Sequence, residues 1–211
     1  MMNRAETFFT EAEKQRIEEV TRSVECCTIG EVAVMVVDSS EQYADAELMG
    51  GVCLGSFVSL LITVFFLQSS LWFYIPLSIL CFFPCRILFR RLPSLKRSFI
   101  GARRKEEAVR LRALRAFSEK GLYKTKANTG VLFFLSLLEH KVWVLADKGI
   151  YEKIDQKTLN TYAQNVSHGV KEGHACDALC QAIKDAGGIL ARHFPLTPGD
   201  TDELSNKVMT E

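Results

Sequence analysis

Two long apolar runs lie next to each other in the first half of the chain. Met49–Leu67 has nineteen residues and no charge, and Leu71–Phe89 has nineteen residues whose single charge is Arg86. A hydrocarbon core about 30 Å thick requires roughly 20 apolar residues in a helix. The polar residues Gln68-Ser69-Ser70 predict a tight turn between the runs. The pattern therefore predicts a transmembrane helical hairpin over residues 49–90; the alternative is a buried hairpin in the core of a soluble protein.

The rest of the apolar pattern predicts helices that alternate with short strands. Val32–Val37 and Val131–Leu137 are continuous apolar runs, which is typical of strands covered on both faces. Thr10 followed by Glu13 resembles a capping box at the start of a helix. We expect helices at about 10–25, 98–120, 156–171 and 175–193, and strands at 31–38, 131–137 and 141–146. On the second of these helices, Leu111, Leu114 and Phe117 are the predicted apolar face.

The order of these elements predicts an α/β fold. A long crossover joins the first two strands, so they should be parallel, and a turn at Glu139-His140 makes the third strand antiparallel to the second. The chain should therefore form a three-layer α/β/α sandwich with a small mixed sheet. This domain would have two parts, residues 5–48 and 98–194, with the transmembrane hairpin inserted between them. Residues 195–211 form a polar tail that we expect to be loosely ordered.

Charge is concentrated beside the second apolar run, although the chain as a whole has a formal net charge of +1. Lys and Arg residues close to a membrane span stay in the cytoplasm, so both termini are predicted to be cytoplasmic. This basic block, which spans residues 86–115, should attract anionic lipid headgroups. Because it is local and adjoins the predicted spans, we do not expect nucleic-acid binding. Its eleven basic residues are Arg86, Arg90, Arg91, Lys96, Arg97, Arg103, Arg104, Lys105, Arg110, Arg112 and Arg115, opposed within the block only by Glu106 and Glu107.

The seven cysteines agree with a reducing compartment. Their number is odd and they contain no Cys-x-x-Cys pair. Cys176 and Cys180 are four residues apart and share one face of a predicted helix. We interpret them as helix packing rather than as zinc ligands.

Candidate chemistry comes from the predicted topology, because the chain has no Gly-rich phosphate loop, His-Glu-x-x-His or Gly-x-Ser-x-Gly motif. Glu31 opens the first strand, Asn128 and Thr129 open the second, and Asp147 closes the third. These residues should meet along one rim of the sheet, with Asp155 nearby. We expect Glu31, Asp147 and Asp155 to bind magnesium or calcium, which prefer oxygen ligands and could polarise a phosphoryl group. The alternative is that these residues are ordinary polar strand ends.

Several stretches of the chain resemble the TPM domain family, named from thylakoid lumen and related membrane proteins. The first two are Phe9-Thr10-Glu11-Ala12-Glu13 and Thr28-Ile29-Gly30-Glu31. The next are Asn128-Thr129-Gly130-Val131-Leu132 and Ala146-Asp147-Lys148-Gly149-Ile150. The last, Pro198-Gly199-Asp200-Thr201-Asp202-Glu203-Leu204, is similar to an ending found in a membrane-anchored branch of the family. The resemblance covers roughly residues 5–48 and 98–204.

The resemblance implies an α/β/α sandwich and several functions. Some family members are described as acid phosphatases, some bind calcium or magnesium, and others repair photosystem II or modulate a receptor. Together with the predicted hairpin, the resemblance to the membrane-anchored branch leads us to expect an integral protein of the inner or plasma membrane of a bacterium. Its first expected role is non-enzymatic, as a binding partner in the assembly or quality control of membrane proteins. The alternatives are a divalent-metal-dependent phosphatase that uses Glu31 and Asp147, and a lipid-surface role for the basic segment. Oligomeric state stays open.

Overall fold

The computed structural model describes residues 4–66, 71–125, 128–196 and 205–211. The chain forms two compact units: unit 1 is Met1–Ser40 with Glu106–Glu211, and unit 2 is Glu41–Lys105. The strands are β1 (Glu31–Val37), β2 (Gly130–Ser136), β3 (Lys141–Ala146) and β4 (Met209–Thr210). The helices are α1 (Arg4–Phe8), α2 (Glu11–Glu25), α3 (Ala44–Phe66), α4 (Leu71–Arg91), α5 (Pro93–Ser98), α6 (Ala102–Glu119), α7 (Lys148–Tyr151), α8 (Gln156–Glu172) and α9 (Ala175–His193).

The sheet of unit 1 has the strand order β3-β2-β1-β4. β1 is parallel to β2, with Glu31 opposite Gly130, and β3 is antiparallel to β2. These directions confirm the sequence prediction. β4 was not predicted: it pairs in parallel with β1 at the end of the segment that we expected to be loosely ordered. A strand of two residues has too few positions to show any apolar periodicity, so the sequence pattern gave no signal for it.

The sheet has a hydrophobic core on each face, which confirms the three-layer architecture. Val32, Val34 and Val36 of β1 share one core with residues of α2, α8 and α9. Ala33 and Met35 of β1 lie in the other core, against α6. Successive strand residues point to opposite faces, so a strand without polar residues must be covered on both sides.

Local signals set the ends of the helices. The Thr10 hydroxyl accepts from the Glu13 N–H at 3.3 Å, and the Glu13 carboxylate accepts from the Thr10 N–H at 2.8 Å, so the predicted capping box is present. The helix expected at 98–120 is α6, which begins four residues later than predicted, at Ala102; Ser98 instead ends the short helix α5.

The face of α6 that is buried agrees with the predicted one only at Phe117, which packs against the core on that side of the sheet. Leu111 is 60% exposed and Leu114 is 44% exposed, whereas Val109, Ala113 and Ala116 are fully buried. The buried residues are spaced i, i+4, i+7, and most of them are small. Small side chains let the helix axis approach the sheet closely, so packing selected the alanine face over the leucine face.

Unit 2 contains the two apolar helices. α3 and α4 are long and apolar enough to cross a membrane, with mean hydropathies of 2.2 over Ala44–Phe65 and 1.7 over Trp72–Arg91. They pack antiparallel: a Cβ at Gly51 or Gly55 would lie 3.1–3.2 Å from atoms of Phe82. α3 begins at Ala44, five residues before the predicted start. The predicted turn at residues 68–70 lies outside the described part of the chain.

Acidic residues before and within the first turns of α3 pair with the basic block. Lys96 and Glu47 form an ion pair of 2.7 Å, and both side chains are largely buried. Arg104 pairs with Glu41 at 2.9 Å and with Asp45 at 3.1 Å. Acids outside the block therefore also oppose its charge, which sequence spacing does not show.

The two cysteines of α9 are core residues. Cys176 and Cys180 are both buried, as expected for helix packing. Burial, with a smaller contribution from Cys180, raises the pKa of the Cys176 thiol to about 12. A thiol in this environment stays protonated at neutral pH.

Candidate functional site

Three of the predicted rim residues meet at one end of the sheet. The Glu31 N–H donates to the Thr129 carbonyl at 3.2 Å, and the Asp147 N–H donates to the Gly130 carbonyl at 2.9 Å. Glu31 starts β1, Thr129 immediately precedes β2, and Asp147 immediately follows β3. The parallel and antiparallel pairings therefore bring these residues together, as the topology required.

Glu31, Gly130 and Asp147 form one row across the sheet, and Gly130 lies between the two acidic residues. Adjacent strands are about 4.8 Å apart, so Glu31 and Asp147 stand roughly 10 Å apart across β2. Glu31 follows the alternation of Ala33 and Met35, and Asp147 follows that of Leu145, so both belong to the α6 face. On that face the Leu122 carbonyl oxygen lies 2.5 Å from the position that a Cβ at residue 130 would take. Only a glycine leaves room for this carbonyl between the two acids.

The rim groups differ in how far their hydrogen bonds are satisfied. The Thr129 hydroxyl donates to the Ile29 carbonyl at 2.9 Å, and its N–H donates to the Thr125 hydroxyl at 3.0 Å. Asp147 Oδ1 accepts from the Lys148 N–H at 2.7 Å. Asp147 Oδ2 is buried and has no hydrogen-bond partner among the described residues. The hydroxyl and N–H of Thr129 are therefore both hydrogen-bonded within the end of the sheet, whereas Asp147 Oδ2 is an acceptor without a partner among the described residues.

The other two predicted rim residues are placed differently. Asn128 is exposed beside Thr129 and has a left-handed backbone with φ 54°. Asp155 is the exposed N-cap of α8 and makes no side-chain capping hydrogen bond. Within the described ranges, no three His, Cys, Asp or Glu side chains form a group that could hold a metal. The row itself offers Glu31, Asp147 and a carbonyl, which are the hard oxygen ligands that calcium and magnesium prefer. The metal at this rim stays a prediction.

One edge of the sheet is covered. Beside β1, the Glu25 carboxylate accepts from the outward N–H of Val32 at 2.9 Å. Further along, the Glu211 N–H donates to the Val36 carbonyl at 3.1 Å, and the Asp38 N–H donates to the Glu211 carbonyl at 3.0 Å. The Glu25 side chain and the main chain of Glu211 therefore satisfy these outward-facing main-chain groups beside β1.

At the opposite edge, formed by β3, Val142 and Val144 are only 9% and 2% exposed. Because the Asp147 N–H points to β2, strand alternation directs the main-chain groups of Val142 and Val144 away from β2. The Ala146 N–H also points outward and donates weakly to the Tyr151 hydroxyl at 3.4 Å. In the described part of the chain no strand pairs with β3 on this side.

Two adjoining cavities run along this edge; we call them together the β3 groove. Their volumes are about 350 and 440 Å³, and they share His140, Lys141, Val142 and Ser167. A polar stripe on α8 lines the wall opposite β3: Asn160, Gln164, Ser167 and Lys171. The charged lining residues are Arg4, Lys141 and Lys171, against the single acid Glu106, which already pairs with Lys141 at 3.0 Å.

The β3 groove was not predicted from the sequence. A signal was available, because β3 is the last predicted strand of a hairpin and nothing predicted after it could pair with it. The polar stripe was harder to find, since residues at the i, i+4, i+7, i+11 positions of a helix are ordinarily a solvated face.

Comparisons with known proteins agree with the fold. The chain is similar to the NMR structure of the BA42 protein from the psychrophilic bacterium Bizionia argentinensis. The TM-score is 0.61 at 20% sequence identity, and the match covers 97% of this chain and 96% of that chain. No curated protein matches the chain. Residues 97–189, which contain α6, β2, β3, α7 and α8 and most of α9, match the TPM domain family, and this part of the chain is therefore TPM-like.

Proposed function

We propose that this protein is a membrane-tethered, non-enzymatic binding module that takes part in the assembly or quality control of membrane proteins. Unit 2 would anchor it in the bilayer of a bacterial inner or plasma membrane, with both termini in the cytoplasm. Unit 1 would bind a segment of a membrane-protein partner. The observation that carries this proposal is the β3 groove, a cleft lined by β3 and by a polar stripe of α8.

Unit 2 supports the tether. Several large apolar side chains of its two helices are exposed; Trp72 is 89% and Phe65 is 76% exposed. In water such a surface would be strongly unfavourable, at roughly 25 cal/mol for each Å² of apolar area. Polar groups are instead turned inward: Ser59 is fully buried and donates to the Tyr74 carbonyl at 3.2 Å. This inside-out distribution suits a lipid environment.

The rim of unit 1 favours a binding role over catalysis. The Thr129 hydroxyl and the Thr125 hydroxyl are both used to close the end of the sheet. A hydrolytic site that forms a covalent intermediate needs a nucleophile within hydrogen-bond reach of a base. In these contacts both hydroxyls bond to main-chain groups rather than to a base.

One observation favours a second candidate, a divalent-metal-dependent phosphatase. Asp147 Oδ2 is a buried acceptor without a hydrogen-bond partner in the residues that the structure describes, and it lies in a row with Glu31 and the Leu122 carbonyl. A magnesium or calcium ion there would supply electrostatic stabilisation of a phosphoryl oxygen. Glu31 and Asp147 would hold it.

In-membrane crosslinking tests the binding role. A photo-crosslinking amino acid at Gln164, in the β3 groove, should form adducts with an integral membrane protein when intact cells are irradiated. The same group at Lys184, which is exposed on α9 outside the groove, is the matched control and should give none. Mass spectrometry identifies the adducts. Equal labelling from both positions, or no membrane protein from either, would reject the binding role.

A further inference from the structure

We infer that the outward side of α6 is a lipid-contact surface, on which two leucines enter the interfacial region of an anionic bilayer while arginines bind the lipid phosphates. The surface consists of Leu111, Leu114 and the exposed arginines Arg103, Arg110 and Arg115, and we call it the α6 outer face. This inference rests on the membrane tether of the proposed function. It adds a second contact with the bilayer, outside the two apolar helices.

The two leucines are left exposed by the packing of the opposite side of α6. Val109, Ala113 and Ala116 are fully buried in the core between this helix and the sheet. Leu111 and Leu114 are 60% and 44% exposed, and no other large aliphatic side chain is exposed in the helices that the structure describes within unit 1. Residues three apart on a helix are neighbours, so the two leucines form one apolar ridge. Such a ridge is stabilised when it leaves water.

Arginines flank this ridge. Arg110 is four residues before Leu114, and Arg115 is four residues after Leu111, so each leucine has an arginine one turn away on the same side of the helix. All three arginines of the outer face, including Arg103, are exposed, and none of them forms an ion pair with a residue that the structure describes. Their guanidinium groups can therefore bind an external anion.

The acids of α6 do not cancel this charge. Glu106 pairs with Lys141 at 3.0 Å, and Glu119 pairs with Arg112 at 3.2 Å. The third acid, Glu107, is exposed on the outward side of the helix. Three arginines therefore stand against one glutamate on this side, and the surface is cationic.

An anionic bilayer fits this combination of side chains better than other partners do. Arginine binds phosphate through two parallel hydrogen bonds, and its aliphatic stem lies along apolar groups while its head stays among the headgroups. Two leucines are a small patch compared with a specific protein interface, which buries roughly 1,200 Å² or more. On nucleic acid the arginines would contact phosphates, but the leucines would stay in water.

The tether makes even a small lipid-contact surface effective. The segment 92–101 joins α4, which ends at Arg91, to α6, which begins at Ala102. A segment of this length reaches at most about 36 Å when it is fully extended. If α4 lies in the bilayer, lipid headgroups are therefore present at high effective concentration around α6, and weak individual contacts are enough.

Photo-crosslinking to lipid tests the inference on the full-length protein in lipid nanodiscs. A photo-crosslinking amino acid replaces Ser118, which is exposed one turn after Leu114 on the same side of α6 and leaves the leucines and arginines intact. The nanodiscs contain either phosphatidylcholine alone or an equimolar mixture with anionic phosphatidylglycerol. The same amino acid at Lys184, which is exposed on α9, is the position control. Mass spectrometry identifies the lipid adducts.

Position 118 should form lipid adducts in the anionic nanodiscs, whereas position 184 should form few. Replacing both Leu111 and Leu114 by Ser should lower the adduct yield roughly tenfold, because it removes the apolar contribution. These side chains are exposed, so the unfolding temperature should stay nearly unchanged, which separates loss of lipid contact from loss of the fold.

The charge dependence is tested in the same way. Replacing Arg110 and Arg115 by Gln should lower the yield roughly fivefold or more, and nanodiscs of phosphatidylcholine alone should lower it to a similar extent. The matched change of Lys184 and Arg192, both exposed on α9, to Gln removes the same charge elsewhere and should have no effect.

Three results would overturn the inference. The first is equal lipid labelling from positions 118 and 184, and the second is a yield at position 118 that neither the leucine nor the arginine replacements change. The third is labelling of a protein in place of lipid when position 118 is irradiated in intact cells, since this would assign the α6 outer face to a protein partner.

Failure of this inference can be told apart from failure of the proposed function. If the protein enters nanodiscs and position 164 crosslinks a membrane protein in cells, but position 118 forms no lipid adducts, only the lipid-contact inference is wrong. If the protein stays outside the nanodiscs, the tether is wrong and both are rejected.

Discussion

At Asp147 the two carboxylate oxygens have different surroundings. Oδ1 accepts from the Lys148 N–H and caps α7, whereas Oδ2 is buried without a hydrogen-bond partner in the described ranges. A buried carboxylate oxygen left unsatisfied costs roughly 1–3 kcal/mol, and more when it is charged. A bound cation would relieve this cost, so this residue is the place to test the metal prediction.

Calcium or magnesium should raise the unfolding temperature of the detergent-solubilised protein. A ligand at a hundredfold excess over its Kd stabilises by about 2.7 kcal/mol, which corresponds to roughly 5 °C or more in a chain of this size. Asp147→Asn should abolish the shift. Asp155→Asn keeps a good N-cap residue on α8 and tests whether Asp155 takes part. Aryl phosphate hydrolysis, measured on the same samples, tests the phosphatase; if neither ion shifts the unfolding temperature, the metal prediction is wrong.

Among the elements, α3 and α4 depend on glycine for their contact. A Cβ at Gly55 would lie 3.1 Å from main-chain atoms of Phe82, which cannot move aside as a side-chain end can. Close approach through small residues is the usual way in which apolar helices associate in lipid, where no hydrophobic force drives them together. The glycines in this helix therefore serve contact within one hairpin.

Gly55→Leu should destabilise unit 2 by about 1–3 kcal/mol, because overpacking forces the two helices apart. Cys53→Leu is the matched control: it lies two residues away on the exposed face of the same helix and should leave stability nearly unchanged. Loss of helical circular dichroism on heating in detergent measures both. Identical unfolding curves for Gly55→Leu and the unsubstituted protein would contradict the tight contact of the two helices.

On the scale of the whole molecule, charge and hydrophobicity together predict the orientation. Basic residues that remain after the ion pairs at Lys96 and Arg104, among them Arg90, Arg91 and Arg97, lie close to the end of α4. Such residues keep their flank of a membrane span in the cytoplasm. Both ends of the hairpin should then lie on the cytoplasmic side.

Accessibility tags test this predicted orientation directly. Tags on Met1 and on Glu211 should be labelled only after the inner membrane is permeabilised, while a tag inserted at Ser69 should be labelled from outside in intact cells. Replacing Arg90, Arg91 and Arg97 by Gln should reduce the fraction of molecules in this orientation. Labelling of the two termini from opposite sides would exclude the hairpin topology.

The sequence alone determined the elements whose signal lies within their own residues. Continuous apolar runs gave β1, β2 and the two long helices, and the Thr10–Glu13 pair fixed the start of α2, because backbone and solvent preferences act locally. Strand direction followed from the length of the connections, and it placed Glu31, Thr129 and Asp147 at one end of the sheet. These inferences need no knowledge of which distant residues touch.

Tertiary structure decided whatever depends on contact between distant segments. It selected the small residues of α6 over its leucines, paired Lys96 with Glu47, and added Met209–Thr210 to the edge beside β1. It also covered the β1 edge of the sheet and formed the β3 groove between β3 and α8. Packing and pairing energies depend on the shape and distance of partners far apart in the chain, so no local pattern encodes them.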